Sequence, residues 1–196
     1  MMDNMGQEKG NRSEKEKMLA GEPYLAFTDE LVDERNYAMQ LLHQFNNTSP
    51  AESGGAASIL HRLLPNAGKN LQILPRFHCD YGYNIYCGDN VYFNVNCVVL
   101  DVVKVTIGSY TLFGPGVQIY TATHPLDAML RRTVESANPI VIGEDCWIGG
   151  GSIICPGITI GDRCVIGAGS VVTRNVPSDS LAVGNPARVI RVLNQF

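Results

Sequence analysis

Residues 142–177 repeat with a period of six. The aliphatic residues at this spacing are Ile142, Ile148, Ile154, Ile160, Ile166 and Val172. A glycine directly follows four of them, at Gly143, Gly149, Gly161 and Gly167. Self-similarity at a short fixed period is typical of a parallel β-helix built from hexapeptides. We expect each hexapeptide to form one short strand and one turn. Three hexapeptides would then close a coil of about 18 residues, with the aliphatic side chains of successive coils stacked inside.

Composition and charge narrow the classes of protein that this chain can belong to. It has 196 residues, of which 45% are hydrophobic and 17% are charged, as in an ordinary globular domain. A net charge of −4 provides no overall positive field to attract nucleic acid or an anionic membrane. No apolar run approaches the roughly 18–20 residues that cross a bilayer, and the polar N-terminus lacks the apolar core of a signal peptide. We therefore expect a cytoplasmic protein that binds neither nucleic acid nor membranes.

The cysteines favour a reduced core over disulfides or a zinc site. None of the six forms a CxxC pair, and Cys146 and Cys164 occupy the same repeat position one coil apart. Cysteines that follow the repeat in a cytosolic protein behave as small apolar core residues. The set is Cys79, Cys87, Cys97, Cys146, Cys155 and Cys164.

The chain divides into four predicted parts. Residues 1–13 are predicted to be a flexible tail, and residues 14–70 a small N-terminal helical cap with helices over 14–21, 29–44 and 56–64. Thr28 is expected to cap the second helix. Residues 71–180 form the predicted β-helix, interrupted over 125–139 by a polar loop that projects from it. Residues 181–196 form a C-terminal tail that packs on the helix, with a turn at 185–186.

His124, in the sequence TATHPLD, is the strongest candidate for a catalytic residue. It lies where the repeat gives way to the loop, whereas His43 and His61 fall in predicted helices. Histidine is the side chain best suited to take up a proton near neutral pH. A structural histidine that bonds to backbone is the alternative, and the residues alone leave both interpretations open.

Several segments, taken together, resemble one enzyme family. They are EKEKMLAGEPY, CDYGYN, IYTATHP, IGEDCWIGG, IGAGSVVTRNVP and GNPARVI, and they cover residues 14 to about 193. This combination resembles the maltose and galactoside O-acetyltransferases, which include nodulation acetyltransferases. The resemblance implies a mainly β protein, a left-handed parallel β-helix with a helical cap and an excursion loop. It also implies acetyl-CoA as co-substrate, no required metal, and a homotrimer with active sites between subunits.

The same resemblance assigns roles to individual residues. His124 matches the general base, which takes a proton from a sugar hydroxyl so that the hydroxyl attacks the thioester directly, without an acyl-enzyme. A backbone N–H in the turn 147–150 matches the donor to the oxyanion. The positions that match acceptor contacts are Asp29, Asp80, Asn94 and Asp101. Those that match coenzyme A contacts are Trp147, Gly150, Ala168, Thr173, Arg174, Arg188 and Arg191, and the arginines among them suit phosphate.

Alternative functions remain at this stage. The loop 125–139 carries TVESAN in its middle and differs from that of the galactoside enzymes, so the acceptor is either a sugar such as maltose, glucose or a galactoside, or a non-sugar hydroxyl such as that of an antibiotic. A γ-type carbonic anhydrase also uses a hexapeptide helix, but it needs three histidines on zinc, and only His78 and His124 lie in this part of the chain. The third hypothesis is a non-catalytic hexapeptide scaffold.

Overall fold

Three helices form the N-terminal cap. The computed structural model describes residues 12–49 and 53–194. The helices are α1 (Glu14–Leu19), α2 (Asp29–Asn47) and α3 (Ser53–Leu63). A capping box starts α1, because the Ser13 hydroxyl accepts the Glu16 N–H while the Glu16 carboxylate accepts the Ser13 N–H. Of the predicted tail, residues 1–11 lie outside the described residues.

Helix α2 is longer than predicted. It buries Leu31 and Leu42 as the apolar pattern indicated, but it continues to Asn47 rather than ending at 44. The Asn46 amide explains the extra turn, since it donates to the Phe77 carbonyl and accepts the Phe77 N–H, which ties the end of the helix to the first coil. Thr28 occupies the N-cap position, but its side chain makes no capping hydrogen bond, so that expectation is only half correct. Helix α3 begins at Ser53 rather than at 56.

Short parallel strands follow the cap in a repeating order. The strands before the loop are β1 (Gln72–Ile73), β2 (Phe77–Cys79), β3 (Ile85–Cys87), β4 (Tyr92–Phe93), β5 (Cys97–Leu100), β6 (Val105–Ile107), β7 (Leu112–Phe113) and β8 (Gln118–Tyr120). Those of the loop and beyond are β9 (Ala122–Thr123), β10 (Ser136–Ala137), β11 (Ile140–Ile142), β12 (Trp147–Ile148), β13 (Ile153–Ile154), β14 (Thr159–Ile160), β15 (Val165–Ile166), β16 (Val171–Val172), β17 (Ser180–Gly184) and β18 (Ala187–Val192).

The strands form the three faces of a parallel β-helix, as the six-residue period predicts. Face 1 contains β1, β4, β7, β12, β15 and β17; face 2 contains β2, β5, β8, β13 and β16; and face 3 contains β3, β6, β11 and β14. The chain visits faces 1, 2 and 3 in turn and then begins the next coil. Inside, the six aliphatic residues that define the period are each at most 1% exposed. The rings of Phe93 and Phe113 stack with centroids 4.3 Å apart and extend this core into the earlier coils.

The six cysteines agree with the prediction of a reduced core. All are free thiols, and five are buried while Cys155 is partly exposed. The Sγ atoms of Cys146 and Cys164 point to backbone carbonyls of Gly161 and Pro177, each 3.1 Å away. They therefore pack as small core residues.

Backbone stacks closely on backbone along the edge between faces 1 and 2. The N–H groups of Gly116, Gly151 and Gly169 donate to the carbonyls of the preceding coils, at 2.8–2.9 Å. All three have φ between +66° and +70°, a conformation that glycine adopts without strain. The result is a smooth ridge of peptide groups with little side-chain cover.

At the edge between faces 2 and 3 the chain leaves the coil path after β8. The excursion contains β9, β10 and a 3-10 turn (Leu130–Arg132), and β9 pairs with β10 in antiparallel register. The Asn138 N–H donates to the Thr121 carbonyl at 2.9 Å and closes the base of the loop. The excursion thus runs from 121 to 138, where the sequence predicts a loop over 125–139.

The C-terminal segment pairs with the last coil. Strand β18 turns back at 185–186, as predicted, and lies antiparallel to β17 at the end of face 1. Within residues 12–49 and 53–194, no helix combines the length and apolar character that crossing a membrane requires.

Candidate active site

A cavity of about 250 Å³ lies where the cap, the first coils and the base of the loop meet. Its walls come from the segment before α2, from α2 itself, from the turn after β2, from the end of β5 and the residues after it, from β9, and from the residue before β10. The lining residues are Tyr24, Ala26, Phe27, Arg35, Asp80, Tyr81, Leu100, Val102, Ala122, His124 and Glu135. Carboxylates, a guanidinium and an imidazole converge in one small concave space, which is the usual character of a ligand site.

His124 stands at the end of β9 and faces this cavity. Its side chain is exposed, and among the described residues its ring has no hydrogen-bond partner. The structure therefore does not support the alternative in which His124 is a structural residue hydrogen-bonded to the backbone. The ring is available to exchange a proton with a ligand in the cavity.

Asp80 and Arg35 give the cavity groups of opposite charge. Burial raises the pKa of Asp80 to about 6; Arg35 opposes this rise, and Glu135 adds to it. The Arg35 guanidinium is fixed, because it donates to the Tyr81 hydroxyl and to the Ala26 carbonyl, both at 2.7 Å. A carboxyl that titrates near neutral pH and a held guanidinium are together suited to bind hydroxyl groups.

Asp101 does not line the cavity, in contrast to its predicted contact with the acceptor. Its side chain is fully buried, and its carboxylate accepts backbone N–H groups at 2.7–3.3 Å. The donors are Asp80, Tyr81, Gly82 and Asn84. Burial raises the pKa of Asp101 to about 7, although several of these N–H bonds act in the opposite sense. The geometry corrects the prediction: Asp101 shapes the turn that carries Asp80.

The other two predicted acceptor residues lie outside the cavity wall. Asp29 is exposed in the first turn of α2, two residues after Phe27, which does line the cavity. Asn94 lies on the glycine-rich edge between faces 1 and 2, where its Oδ1 accepts the Val95 N–H at 2.8 Å. A single chain therefore does not bring Asn94 and His124 together.

Gly150 and Ala168 lie on the same edge as Asn94. The N–H groups of Gly149 and Gly151 donate to carbonyls of adjacent coils, whereas the Gly150 N–H has no partner among the described residues. An unpaired backbone N–H at a surface ridge can donate to a carbonyl or an oxyanion. Trp147 projects from the neighbouring face 1, and 57% of its surface is exposed.

The remaining predicted coenzyme residues occupy two further places. Thr173 and Arg174 directly follow β16 and are exposed at the edge between faces 2 and 3, as His124 is. Arg188 and Arg191 are exposed on β18 at the end of the helix. Thus His124, Thr173 and Arg174 lie at one edge of face 2, and Asn94, Gly150 and Ala168 lie at the other, with the width of one strand between them.

Sequence reasoning missed four titratable residues that line the cavity: Tyr24, Arg35, Tyr81 and Glu135. Tyr24 and Tyr81 do fall within the segments GEPY and CDYGYN, next to residues that drew attention. Glu135 gives no such signal, since its partner Tyr24 is 111 positions away. Among the described residues no group of three or more His, Cys, Asp or Glu could hold a metal ion.

Two family models match this chain. The maltose acetyltransferase hexapeptide capping motif matches residues 17–68, which contain the helical cap. The hexapeptide repeat of succinyl-transferase matches residues 139–174, the coils after the loop.

Known proteins match over nearly the whole chain. Nodulation protein L of Rhizobium meliloti is 51% identical over 179 residues, which are 91% of this chain and 98% of that protein. The crystal structure of a maltose O-acetyltransferase from Clostridium difficile superposes with a TM-score of 0.92 at 49% identity, over 94% of this chain and 99% of the other. A hexapeptide-repeat acetyltransferase of Vibrio cholerae, solved with acetyl coenzyme A, gives a TM-score of 0.86 at 39% identity, over 94% of this chain and all of the other (100%).

Proposed function

Because this chain belongs to the hexapeptide-repeat acetyltransferases that include the maltose O-acetyltransferases and nodulation protein L, we propose that it transfers the acetyl group of acetyl-CoA to a hydroxyl of a sugar. The observation that carries this proposal is the placement of His124, unpartnered and facing a cavity that also contains Asp80 and Arg35. The cytoplasm, where acetyl-CoA is available, is the proposed location.

In the proposed reaction His124 acts as general base. It takes the proton from the acceptor hydroxyl, and the hydroxyl oxygen forms a bond to the thioester carbonyl carbon. The carbonyl oxygen then carries a negative charge, which a backbone N–H such as that of Gly150 would stabilise. When the C–S bond breaks, the thiolate of coenzyme A takes the proton that His124 holds. No residue of the protein is acetylated, and holding both substrates together supplies much of the acceleration.

The cavity supports a sugar more than an apolar acceptor. Asp80 and Arg35 provide an acceptor and donors for hydroxyl groups, and Phe27, 84% exposed, offers an aromatic surface beside them. Hydroxyls around the edge of a sugar ring and C–H groups on its face match that combination. The alternative is another hydroxyl compound, such as an antibiotic, of similar polarity.

The division of the site suggests the assembly. His124 lies at one edge of face 2, while Asn94, Gly150 and Ala168 lie at the other. In a cyclic homotrimer with face 2 toward the rotation axis, one edge of each copy adjoins the opposite edge of the next. His124 would then meet Gly150 of the partner subunit, and the pantetheine arm would run along the ridge between the two chains. Arginines near the helix end, such as Arg174 and Arg188, would reach the phosphates.

Thiol release from acetyl-CoA, measured across maltose, glucose, galactosides, chitin fragments and chloramphenicol, tests the proposal. We expect acceptor-dependent release with at least one sugar. His124→Ala should then lower turnover by about 10²–10⁴-fold, the range for removal of a general base, while acetyl-CoA still binds.

His61→Ala is the matched control, because His61 is also exposed but lies in α3, away from the cavity. It should keep full turnover. Turnover that survives His124→Ala would refute the mechanism, and release with chloramphenicol alone would move the acceptor outside the sugars. If acetyl-CoA does not bind at all, the result would favour the hypothesis of a non-catalytic hexapeptide scaffold.

A further inference from the structure

We propose that Glu135 is the positioning residue for His124: its carboxylate orients the imidazole and stabilises the positive charge that the ring acquires with the proton. This inference rests on the proposed function, since it gives His124 the role of base. It adds a residue to the site that neither the motifs nor the resemblance indicated.

The strand register places the two side chains opposite each other. In the antiparallel pair of β9 and β10, Thr123 pairs with Ser136 and Ala122 pairs with Ala137. Continuing this register by one residue sets His124 opposite Glu135. Cβ atoms at such opposed positions are about 4.5–5.5 Å apart. Because side chains alternate along a strand, His124 lies on the same side as Ala122, and both line the cavity together with Glu135.

An isolated β-bridge to Tyr24 fixes Glu135 from its other side. Tyr24 and Glu135 exchange two backbone hydrogen bonds, at 3.0 and 3.1 Å. The Tyr24 hydroxyl also donates to one carboxylate oxygen of Glu135 at 2.9 Å. Glu135 is only partly exposed, so this bond limits the positions that its side chain adopts. The other carboxylate oxygen has no partner among the described residues and is free to accept the imidazole N–H.

A histidine base needs such a partner. Nucleophilic and proton-transfer sites typically have the base oriented by a third group, which also stabilises the imidazolium. The charged groups that line the cavity with His124 are Glu135 from the loop, Asp80 from the turn after β2 and Arg35 from α2; its other titratable groups are Tyr24 and Tyr81. Arg35 is engaged by Tyr81 and Ala26. Asp101 is buried beneath the 80–84 turn and does not line the cavity. Of the two carboxylates that do, Glu135 is the one that the strand register places opposite the imidazole ring.

Glu135→Gln tests the role, because the amide keeps the size of the side chain and still accepts the Tyr24 hydroxyl. We expect kcat to fall by about 10–100-fold with little change in the KM for the acceptor. The acidic limb of the pH profile of kcat should move to lower pH by roughly one unit, since a nearby anion favours the protonated form of the base. Glu135→Asp, which restores the charge on a shorter stem, should recover part of the loss.

The matched control is Glu144→Gln, which removes a charge from an exposed position outside the cavity and should change neither kcat nor the pH profile. Wild-type kcat and an unmoved profile in Glu135→Gln, with His124→Ala inactive, would overturn this inference and leave the proposed function standing. A rise in KM alone would also overturn it, as it would make Glu135 an acceptor contact. Turnover that survives His124→Ala would instead refute the mechanism in which His124 is the base, and a wild-type protein without acceptor-dependent thiol release would remove the proposed function itself. A thermal unfolding curve like that of the wild type shows that each variant is folded.

Discussion

The coils after the loop and the corner around His124 are built on opposite plans. In the coils, residues 140–176, each inward side chain resembles the one a coil earlier, and the core there consists of aliphatic side chains, thiols and the two serines Ser152 and Ser170. The cavity corner, which we define as residues 24–35, 80–84 and 121–138, does not follow this repeat. It gathers Arg35, Asp80 and Glu135 around one small space, and the buried Asp101 holds its 80–84 turn in place. Regular repetition produces a stiff frame, and the titratable side chains that face one another are concentrated where the repeat stops.

Asp101→Ala should destabilise the cavity corner more than any other single change. It leaves four backbone N–H groups of the 80–84 turn without their acceptor, and we expect a loss of about 3–5 kcal/mol in the free energy of unfolding. Urea denaturation measures it. Asp162→Ala is the control from the coils. Among the described residues, the Asp162 carboxylate accepts one backbone hydrogen bond, from the Glu144 N–H at an exposed corner. Equal losses in the two variants would show that the corner has no special dependence on its buried carboxylate.

Ile160→Ala should weaken the frame and spare the chemistry. Ile160 is fully buried, and removing three of its carbons leaves a cavity between coils, with an expected loss of about 2–4 kcal/mol. Turnover per folded molecule should stay near that of the wild type, because no cavity residue moves. Ile190→Ala, at a position 60% exposed on β18, should cost much less. A fall in turnover at full folding would contradict the separation of frame and site.

Asp80→Asn should alter how stability depends on pH. The folded pKa of about 6 lies above the ordinary value of 3.8, so the stabilising contribution of protonated Asp80 is full below 3.8 and is lost as the pH rises through 6. Wild-type protein should lose about 1–3 kcal/mol from this group between pH 4 and pH 8, and the asparagine variant should not. Urea unfolding at both pH values gives the difference. Identical pH dependence in the two proteins would contradict the burial of this carboxyl.

Ser13→Ala should have the smallest effect. It removes the side-chain half of the capping box of α1, at an exposed position outside the cavity lining, and we expect a loss of about 0.5–1 kcal/mol. Thermal unfolding detects it, and turnover should be unchanged. Ser13→Asp, which still offers an oxygen to the Glu16 N–H, should restore the stability. A larger loss than this would mean that α1 supports more of the cap than its own first turn.

The frame was predictable from the sequence, and the cavity was predictable only in part. The period of six set the core positions from Ile142 to Val172, because each coil repeats the same local conditions. His124 and Asp80 were also identified, since they lie in short recognisable motifs. Tyr24 and Glu135 were not, because their contact joins segments 111 positions apart. Asp101 was misjudged for a related reason: its burial depends on how the turn 80–84 folds over it.

Because the coils stack at a fixed spacing, equivalent positions in successive coils are separated by whole multiples of that spacing. Neighbouring strands lie about 4.8 Å apart, so the row Asn94, Gly114, Gly149 and Gly167 spans three steps, or roughly 14 Å. The hydrogen bond between Thr121 and Asn138 closes the base of the excursion loop, and β8 still pairs with β13 in the next coil. The loop therefore adds residues to the chain without changing the spacing of the coils. Loops at this edge can therefore change length and sequence freely, whereas insertion of a complete coil would displace everything beyond it by one fixed increment. Evolution can therefore vary the residues of the loop and the corner while the spacing between the coils stays the same.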